Sequence, residues 1–204
     1  MKKLILASSS PRRAEVLRNA GIEFEACPTA IDETRRPCEP TSDYVRRLAL
    51  EKARAAAAVT RSAGDFIVVG ADTVVVNQGE ILLKPASPDD ARRMLRQLSG
   101  GVHEVHTGLA VISMPQGIER VIEEVTSVHF ANLSDAEIDA YIETGEPFDK
   151  AGAYGIQSIG GRYVTRVEGC YFNVMGMPLG RLWATLHELG WSANGPVEQA
   201  NCCD

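Results

Sequence analysis

Apolar and polar positions along this chain switch repeatedly between a period near two and a period near 3.6, and each switch marks a change of element. Leu4-Ile5-Leu6-Ala7 is an unbroken apolar run, which predicts a buried strand. Ser10-Pro11 then reads as an N-cap and first helical residue, Ala14, Leu17 and Ala20 as the apolar stripe of a helix, and Gly21 as its stop. Ile22–Ala26 alternates like a half-buried strand. Residues 27–40 combine Pro28, Pro37 and Pro40 with Asp32-Glu33 and Arg35-Arg36, a charged loop. A helix follows from about Ser42 to Ala58, with Val45, Leu48 and Ala49 on its apolar side. Phe66–Gly70 predicts a second buried strand that continues extended through Thr73–Val76, turns at Asn77-Gln78-Gly79 and returns as a hairpin at Ile81-Leu82-Leu83.

In the second half, Ser87-Pro88-Asp89-Asp90 supplies a cap, a proline and first-turn acids for a helix whose core face is Met94, Leu95 and Leu98 and whose stop is Gly100-Gly101. Val102–Ile112 and Ile118–Phe130 predict two long strands joined around Pro115-Gln116-Gly117. Ser134 and Glu137 form a capping box ahead of Ile138, Tyr141 and Ile142. A glycine-rich stretch spans Asp149–Gly161, and Arg162–Val167 with Cys170–Val174 predict a hairpin around Glu168-Gly169. Pro178 opens a last helix carrying Leu179, Leu182, Leu186 and Leu189. Strands interleaved with helices throughout imply an α/β or mixed α+β fold with a long twisted mixed sheet flanked by helices. Residues 1–191 are expected to form a single domain, and residues 192–204 a disordered tail.

Composition narrows the function classes. Of 204 residues, 45% are hydrophobic and 24% charged, ordinary globular values that exclude disordered and fibrous classes. The net charge of -6 disfavours nucleic-acid binding, which relies on many Lys/Arg neutralising phosphates. It also makes any local basic cluster more informative. No window approaches the roughly 18 uncharged apolar residues of a membrane span. Met1-Lys2-Lys3 precedes an apolar run of only four residues before Arg12-Arg13, whereas a secretory signal needs about 7–15, so the chain is expected in the cytoplasm. The cysteines, Cys27, Cys38, Cys170, Cys202 and Cys203, are odd in number and lack C-x-x-C spacing, which argues against a disulfide framework and a zinc site.

Five segments carry candidate chemistry. Ser8-Ser9-Ser10-Pro11-Arg12-Arg13 lies between a strand and a helix start, where free N–H groups, the positive dipole end, three hydroxyls and two guanidiniums suit an anion. A capped helix with two solvated arginines gives the same pattern. Asp72, in Gly70-Ala71-Asp72-Thr73, follows a buried apolar strand, the place where open α/β sheets put ligands. It can bind Mg²⁺ or orient a water as base, or simply serve a turn. Lys84 precedes Pro85 and is held extended, and Lys52 borders the apolar stripe of its helix; these matter if both converge on one pocket. Asp149-Lys150-Ala151-Gly152-Ala153-Tyr154-Gly155-Ile156-Gln157 joins charge, glycines that allow close approach and an amide able to pair with a base edge, or forms a bulged strand with surface charge. The histidines, His103, His106, His129 and His187, show no metal spacing.

Taken in order, five segments resemble the Maf family of nucleoside triphosphate pyrophosphatases: Ala7–Arg13, Leu48-Ala49 with Glu51-Lys52-Ala53, Gly70–Thr73, Lys84-Pro85, and Asp149–Gln157. The match runs up to the helix after Pro178. The resemblance implies two lobes with a nucleotide cleft between them, a Maf/Ham1-like arrangement. It implies hydrolysis between the α and β phosphates to a nucleoside monophosphate and pyrophosphate, a divalent metal (Mg²⁺ or Mn²⁺) and a homodimer. One branch of the family acts on dTTP and UTP and another on 7-methyl-GTP, and the Gly-Ala-Asp-Thr and Lys-Ala-Gly-Ala-Tyr-Gly-Ile-Gln stretches resemble the pyrimidine branch. By the same resemblance Asp72 matches the catalytic base and metal-associated carboxylate. Arg12, Thr73 and Gln157 match positions tied to substrate choice, and Ser8, Arg13, Glu33, Lys52 and Lys84 the surrounding polar pocket. Two other readings use the same cleft: a nucleotide sensor in the control of cell division, and a house-cleaning pyrophosphatase for deaminated purine nucleotides.

Overall fold

A computed structural model describes residues 2–60 and 64–192. In chain order these form β1 (Lys3–Leu6), α1 (Pro11–Asn19), β2 (Glu25–Ala26), α2 (Thr41–Val59), β3 (Phe66–Asn77), β4 (Glu80–Leu82), α3 (Pro88–Leu98), β5 (Val102–Met114), β6 (Ile118–Phe130), α4 (Asp135–Glu143), three 3-10 turns (Glu146–Asp149, Ala151–Ala153, Ile159–Tyr163), β7 (Val164–Glu168), α5 (Tyr171–Val174) and α6 (Leu179–Glu188). The strands make one mixed sheet in the order β2-β1-β3-β5-β6-β7, with β4 also on β3. β1 runs parallel to β2 and β3, and the remaining pairs are antiparallel. No helix among the described residues is long and apolar enough to cross a membrane.

The period-two pattern of β3 divides the core. Val68 faces α2 and packs with Ile5, Ala110, Ile112 and the stripe Ala49, Ala53 and Ala56. Ile67, Val69 and Ala71 face the opposite side and pack with Val16 and Leu17 of α1 and with Leu182 and Leu186 of α6. Fully covered side chains such as Leu6 and Leu17 contribute about 2 kcal/mol each. A second apolar cluster gathers α3 and α4 over the far ends of β5 and β6, through Met94, Leu95, Leu98, Ile138, Tyr141 and Phe130. These clusters lie over different parts of one continuous sheet. α2 lies unusually close to the sheet because β3 and β5 carry Gly70 and Gly108 beneath it. A Cβ at Gly70 would collide with the Ala49 carbonyl, and one at Gly108 with the Val45 carbonyl.

Several local expectations are corrected. Ser10 stands at the N-cap of α1, but its side chain makes no capping bond. The buried side of α1 is Arg13, Val16 and Leu17 rather than Ala14, Leu17 and Ala20, because the helix packs with a guanidinium inward. Of Ile22–Ala26 only Glu25–Ala26 is strand, paired briefly with the end of β1. Cys170–Val174 does not return as a strand: Tyr171–Val174 is a helical turn, and β7 takes β6 as its partner. The tail expected to be disordered lies, from residue 193, outside the described residues.

Candidate active site

β1 ends at Leu6 beside Val69, and β4 joins β3 only at Val75, so the β3 edge between them has no strand partner. A cleft of about 590 Å³ opens along this gap, within the range of small-molecule sites. Ser8, Arg12, Arg13, Glu33, Lys52, Asp72, Thr73, Lys84 and Gln157 all line it, so every side chain singled out in the sequence converges there. Five basic and three acidic side chains line it, an excess of positive charge on a chain whose net charge is -6.

Strand alternation sends consecutive residues to different partners. Asp72 points toward α2, where Lys52 Nζ donates to its Oδ1 at 2.6 Å. The same Nζ lies 2.7 Å from Glu33 Oε1, so one ammonium bridges two carboxylates. Burial raises the Asp72 carboxyl above its ordinary value, and the charges of Lys52 and Arg13 oppose that rise. Thr73 points the other way, toward α1, and accepts from Arg13 Nη2 at 3.1 Å. Arg13 is only 9% exposed. Its Nε donates to the Gly176 carbonyl at 2.8 Å and its Nη1 to Ser8 Oγ at 3.2 Å. It therefore knits three cleft segments together and keeps two N–H groups beyond these bonds. Burial lowers its pKa, against the raising effect of Asp72.

Arg12 behaves differently from its neighbour. Its Nη1 donates to Asp149 Oδ2 at 2.7 Å and its Nη2 to the Asp149 carbonyl at 3.2 Å, which ties α1 to the Glu146–Asp149 turn. Lys84 lines the cleft exposed, with no hydrogen bond or ion pair among the described residues. Gln157 is half-buried on the facing wall. The lining also has apolar members, Val75, Val105, Val174, Met175 and Tyr154.

Sequence reading missed what holds Glu33. Glu39, next to Pro40, accepts from Arg47 Nε at 2.6 Å and Nη2 at 2.9 Å and from the Arg36 N–H at 3.0 Å. The hydrogen bond from Arg47 holds the Glu39 carboxyl at about 2. Tyr44 Oη donates to the Glu33 carbonyl at 2.8 Å. This clasp folds the charged loop onto α2, and an acid and an arginine eight positions apart give no local signal of it. The role of Glu146 on the facing wall was missed for the same reason: its carboxylate accepts from Tyr141 Oη, Ser158 Oγ and the N–H groups of Ile159 and Gly160.

A family model described as Maf-like protein matches residues 3–189. A dTTP/UTP pyrophosphatase of Moorella thermoacetica is 51% identical over 179 residues, 88% of this chain and 91% of that protein. Those of Anaeromyxobacter dehalogenans and Vibrio cholerae are 50% and 46% identical, over 93% and 92% of this chain and 95% and 98% of theirs. Among solved structures, a nucleoside triphosphatase/dITP/XTP pyrophosphatase of Mycobacterium abscessus covers 91% of this chain and 94% of its own at 16% identity and a TM-score of 0.39, a likeness too remote to weigh.

Proposed function

The chain belongs to the Maf family, and from that premise we propose that it hydrolyses dTTP and UTP to the nucleoside monophosphate and pyrophosphate. The observation that carries this is the buried Asp72 carboxylate set among Lys52, Arg13, Arg12 and Lys84 in one cleft. Phosphoryl transfer needs charge neutralisation and positioning above all. Arg13, Lys84 and the start of α1 face the polyphosphate in this reading, and the apolar lining takes the base between Val75, Val105 and Tyr154. Asp72 is the base: burial makes its carboxylate more basic, and its second oxygen is left to take a proton from water attacking the α-phosphorus. Lys52 holds that carboxylate at 2.6 Å so that it cannot swing away. Arg12, Thr73 and Gln157 select the substrate.

No group of three or more His, Cys, Asp or Glu among the described residues could hold a metal by itself. Asp72 and Glu33, drawn together by Lys52, are the donors that fit one. Two carboxylates suit Mg²⁺ or Mn²⁺, which completes its shell with phosphate oxygens and water. Such an ion supplies charge neutralisation and a more acidic water. The family resemblance supports one pyrophosphatase domain over residues 1–191 and a homodimer, and the short N-terminal apolar run supports a cytoplasmic setting.

Pyrophosphate release measured side by side from dTTP, UTP, dITP and 7-methyl-GTP, with Mg²⁺ or Mn²⁺ and with chelator, tests this. The expected order puts dTTP and UTP first and shows no release with chelator. A preference for dITP overturns the substrate, and nucleotide binding without release turns the cleft into a sensor.

A further inference from the structure

Thr73 lines the cleft between Asp72 and Val74 on β3, and the bonds behind it bear on where its proton lies. Its oxygen receives Arg13 Nη2 at 3.1 Å and lies 3.0 Å from Thr107 Oγ1, its directly opposite partner on β5. Thr107 is fully buried, and its hydroxyl reaches the Asn173 carbonyl at 3.2 Å. A guanidinium only donates, a carbonyl only accepts, and a hydroxyl has one proton. With the Thr107 proton given to the Asn173 carbonyl, Thr73 is left to donate to Thr107. With Arg13 on one lone pair and its proton turned inward, Thr73 has a single lone pair left for the cleft that it lines.

We propose that Thr107, which lies behind the cleft and does not line it, is a positioning residue for base choice: it holds the Thr73 proton away from the cleft, so that the site presents an acceptor only and favours a base offering an N–H at that point. Uracil and thymine carry an N3–H where cytosine carries a lone pair. A lone pair set against a lone pair leaves both groups unpaired in a desolvated site, which is the kind of mismatch that gives large discrimination. This inference rests on the reading of the cleft as a pyrimidine nucleotide site. It reaches past the residues that touch the nucleotide to one that acts through Thr73.

The test compares kcat/KM for UTP and CTP in the wild-type protein and in Thr107→Val and Thr107→Ser. Thr107→Val removes the acceptor behind Thr73 and frees its proton to turn into the cleft. The Asn173 carbonyl keeps the Gly176 N–H at 2.8 Å, so that group is not left without a donor. The wild type is expected to favour UTP, and Thr107→Val to lower the UTP-to-CTP ratio by about tenfold or more, the loss of one well-formed hydrogen bond in discrimination. Thr107→Ser keeps the hydroxyl and should retain the ratio. A uniform loss of rate on both nucleotides in Thr107→Val, with the ratio unchanged, would mean a structural role only and overturns the proposal. Should Thr107→Val fail to fold, Thr73→Val removes the same lone pair from the cleft side and must also collapse the ratio; a preserved ratio there overturns the proposal too. A wild type that releases pyrophosphate from UTP without preferring it to CTP refutes the relay alone, whereas one that releases none from UTP, CTP or dTTP refutes the activity and the relay with it.

Discussion

The two walls of the cleft are built by different means. The first wall is the β1–α1 turn, α2 and β3, and each of its functional side chains sits beside a core residue: Asp72 follows Ala71, Lys52 precedes Ala53, and Arg13 lies on the same side of α1 as Val16 and Leu17. Its geometry is backed by sheet pairing and apolar burial. The second wall, residues 146–163, is three 3-10 turns with Gly152 and Ala153 both at positive φ, 68° and 62°. Left-handed backbone at an alanine costs about 1–2 kcal/mol and persists only where the surroundings enforce it. Around it, Ala153 is fully covered in the apolar cluster with Leu95, Tyr141 and Tyr154, and the Gly152 N–H donates to the Leu83 carbonyl at 3.2 Å. The turns before and after are tied to each other by Glu146, which gathers Tyr141, Ser158, Ile159 and Gly160, while Tyr141 Oη also accepts the Gly155 N–H at 3.2 Å. Both walls bury apolar side chains, but the first is also locked by sheet pairing while the second has its turns tied together by one carboxylate, so the two should fail differently.

The largest effect is expected on the first wall, and it should be purely chemical. Asp72→Asn keeps the shape of a side chain packed between α2 and β3 but removes the base, so kcat is expected to fall by about a thousandfold with the thermal midpoint little changed. Burial raises the Asp72 carboxyl, and only its deprotonated form is a base, so the acid limb of wild-type kcat/KM should lie above the ordinary value of 3.8 and be absent from residual Asp72→Asn activity. Stopped-time pyrophosphate release from pH 4 to 8, with calorimetry on both proteins, measures this. Unchanged turnover would remove Asp72 from the role of base.

An intermediate effect is expected on the second wall, and there binding and stability should move together. Glu146→Gln replaces an acceptor of four hydrogen bonds with a half-donor, which should cost about 1–2 kcal/mol, lower Tm by roughly 2–8 °C, and raise KM about tenfold with a smaller change in kcat. Burial pushes the Glu146 carboxyl up, but the hydrogen bonds from Ser158, Tyr141, Gly160 and Ile159 outweigh it and leave it below its ordinary value of 4.5. A depressed carboxylate contributes stability that is fully present above its unfolded value and is lost as pH falls through the folded one. The wild type should therefore shed this fastening below about pH 4.5, and Glu146→Gln should show a flatter acid limb. A variant with wild-type KM and Tm would show that the second wall has another fastener.

The same contrast explains what was legible in the sequence. Local signals placed the elements of the first wall: an apolar run, a cap-and-proline start and a carboxylate after a strand are each written within a few residues. They left open which side chains serve a site, and it was the five segments taken together that picked out residues that line one cleft. Ser10 shows the limit of such signals, because the position was right and the hydrogen bond went elsewhere, from the Ser10 N–H to Ser8 Oγ. The fastenings were not legible. Glu146 meets groups 12 to 14 positions away, and Thr107 meets Asn173 across 66. Cys170–Val174 was misread because its apolar run fits a strand, and only the partnering of β6 by β7 decides otherwise.

Arg12 joins the two walls, and its loss is expected to give the smallest effect on stability and the most informative one on choice. The Arg12–Asp149 pair is partly exposed, with 21% and 58% of the two side chains accessible, so water screens it and it contributes less than about 1 kcal/mol. Arg12→Ala should leave Tm nearly unchanged. Yet the pair is the bond drawn directly from α1 to the Glu146–Asp149 turn, and Asp149 is also held by Lys150 Nζ at 2.6 Å, so without Arg12 the carboxylate stays with Lys150 and the second wall loses its register against the first. That wall carries Gln157, whose amide is expected to read the base, whereas Arg13 and Asp72 are fixed from the other side. The ranking of dTTP, UTP, CTP and dITP should therefore change in Arg12→Ala, with the preference for dTTP and UTP narrowing, while Arg13→Ala should depress every nucleotide alike. Parallel loss on all four nucleotides in Arg12→Ala would mean that Arg12 serves phosphate charge as its neighbour does, and that the two walls keep their register without it.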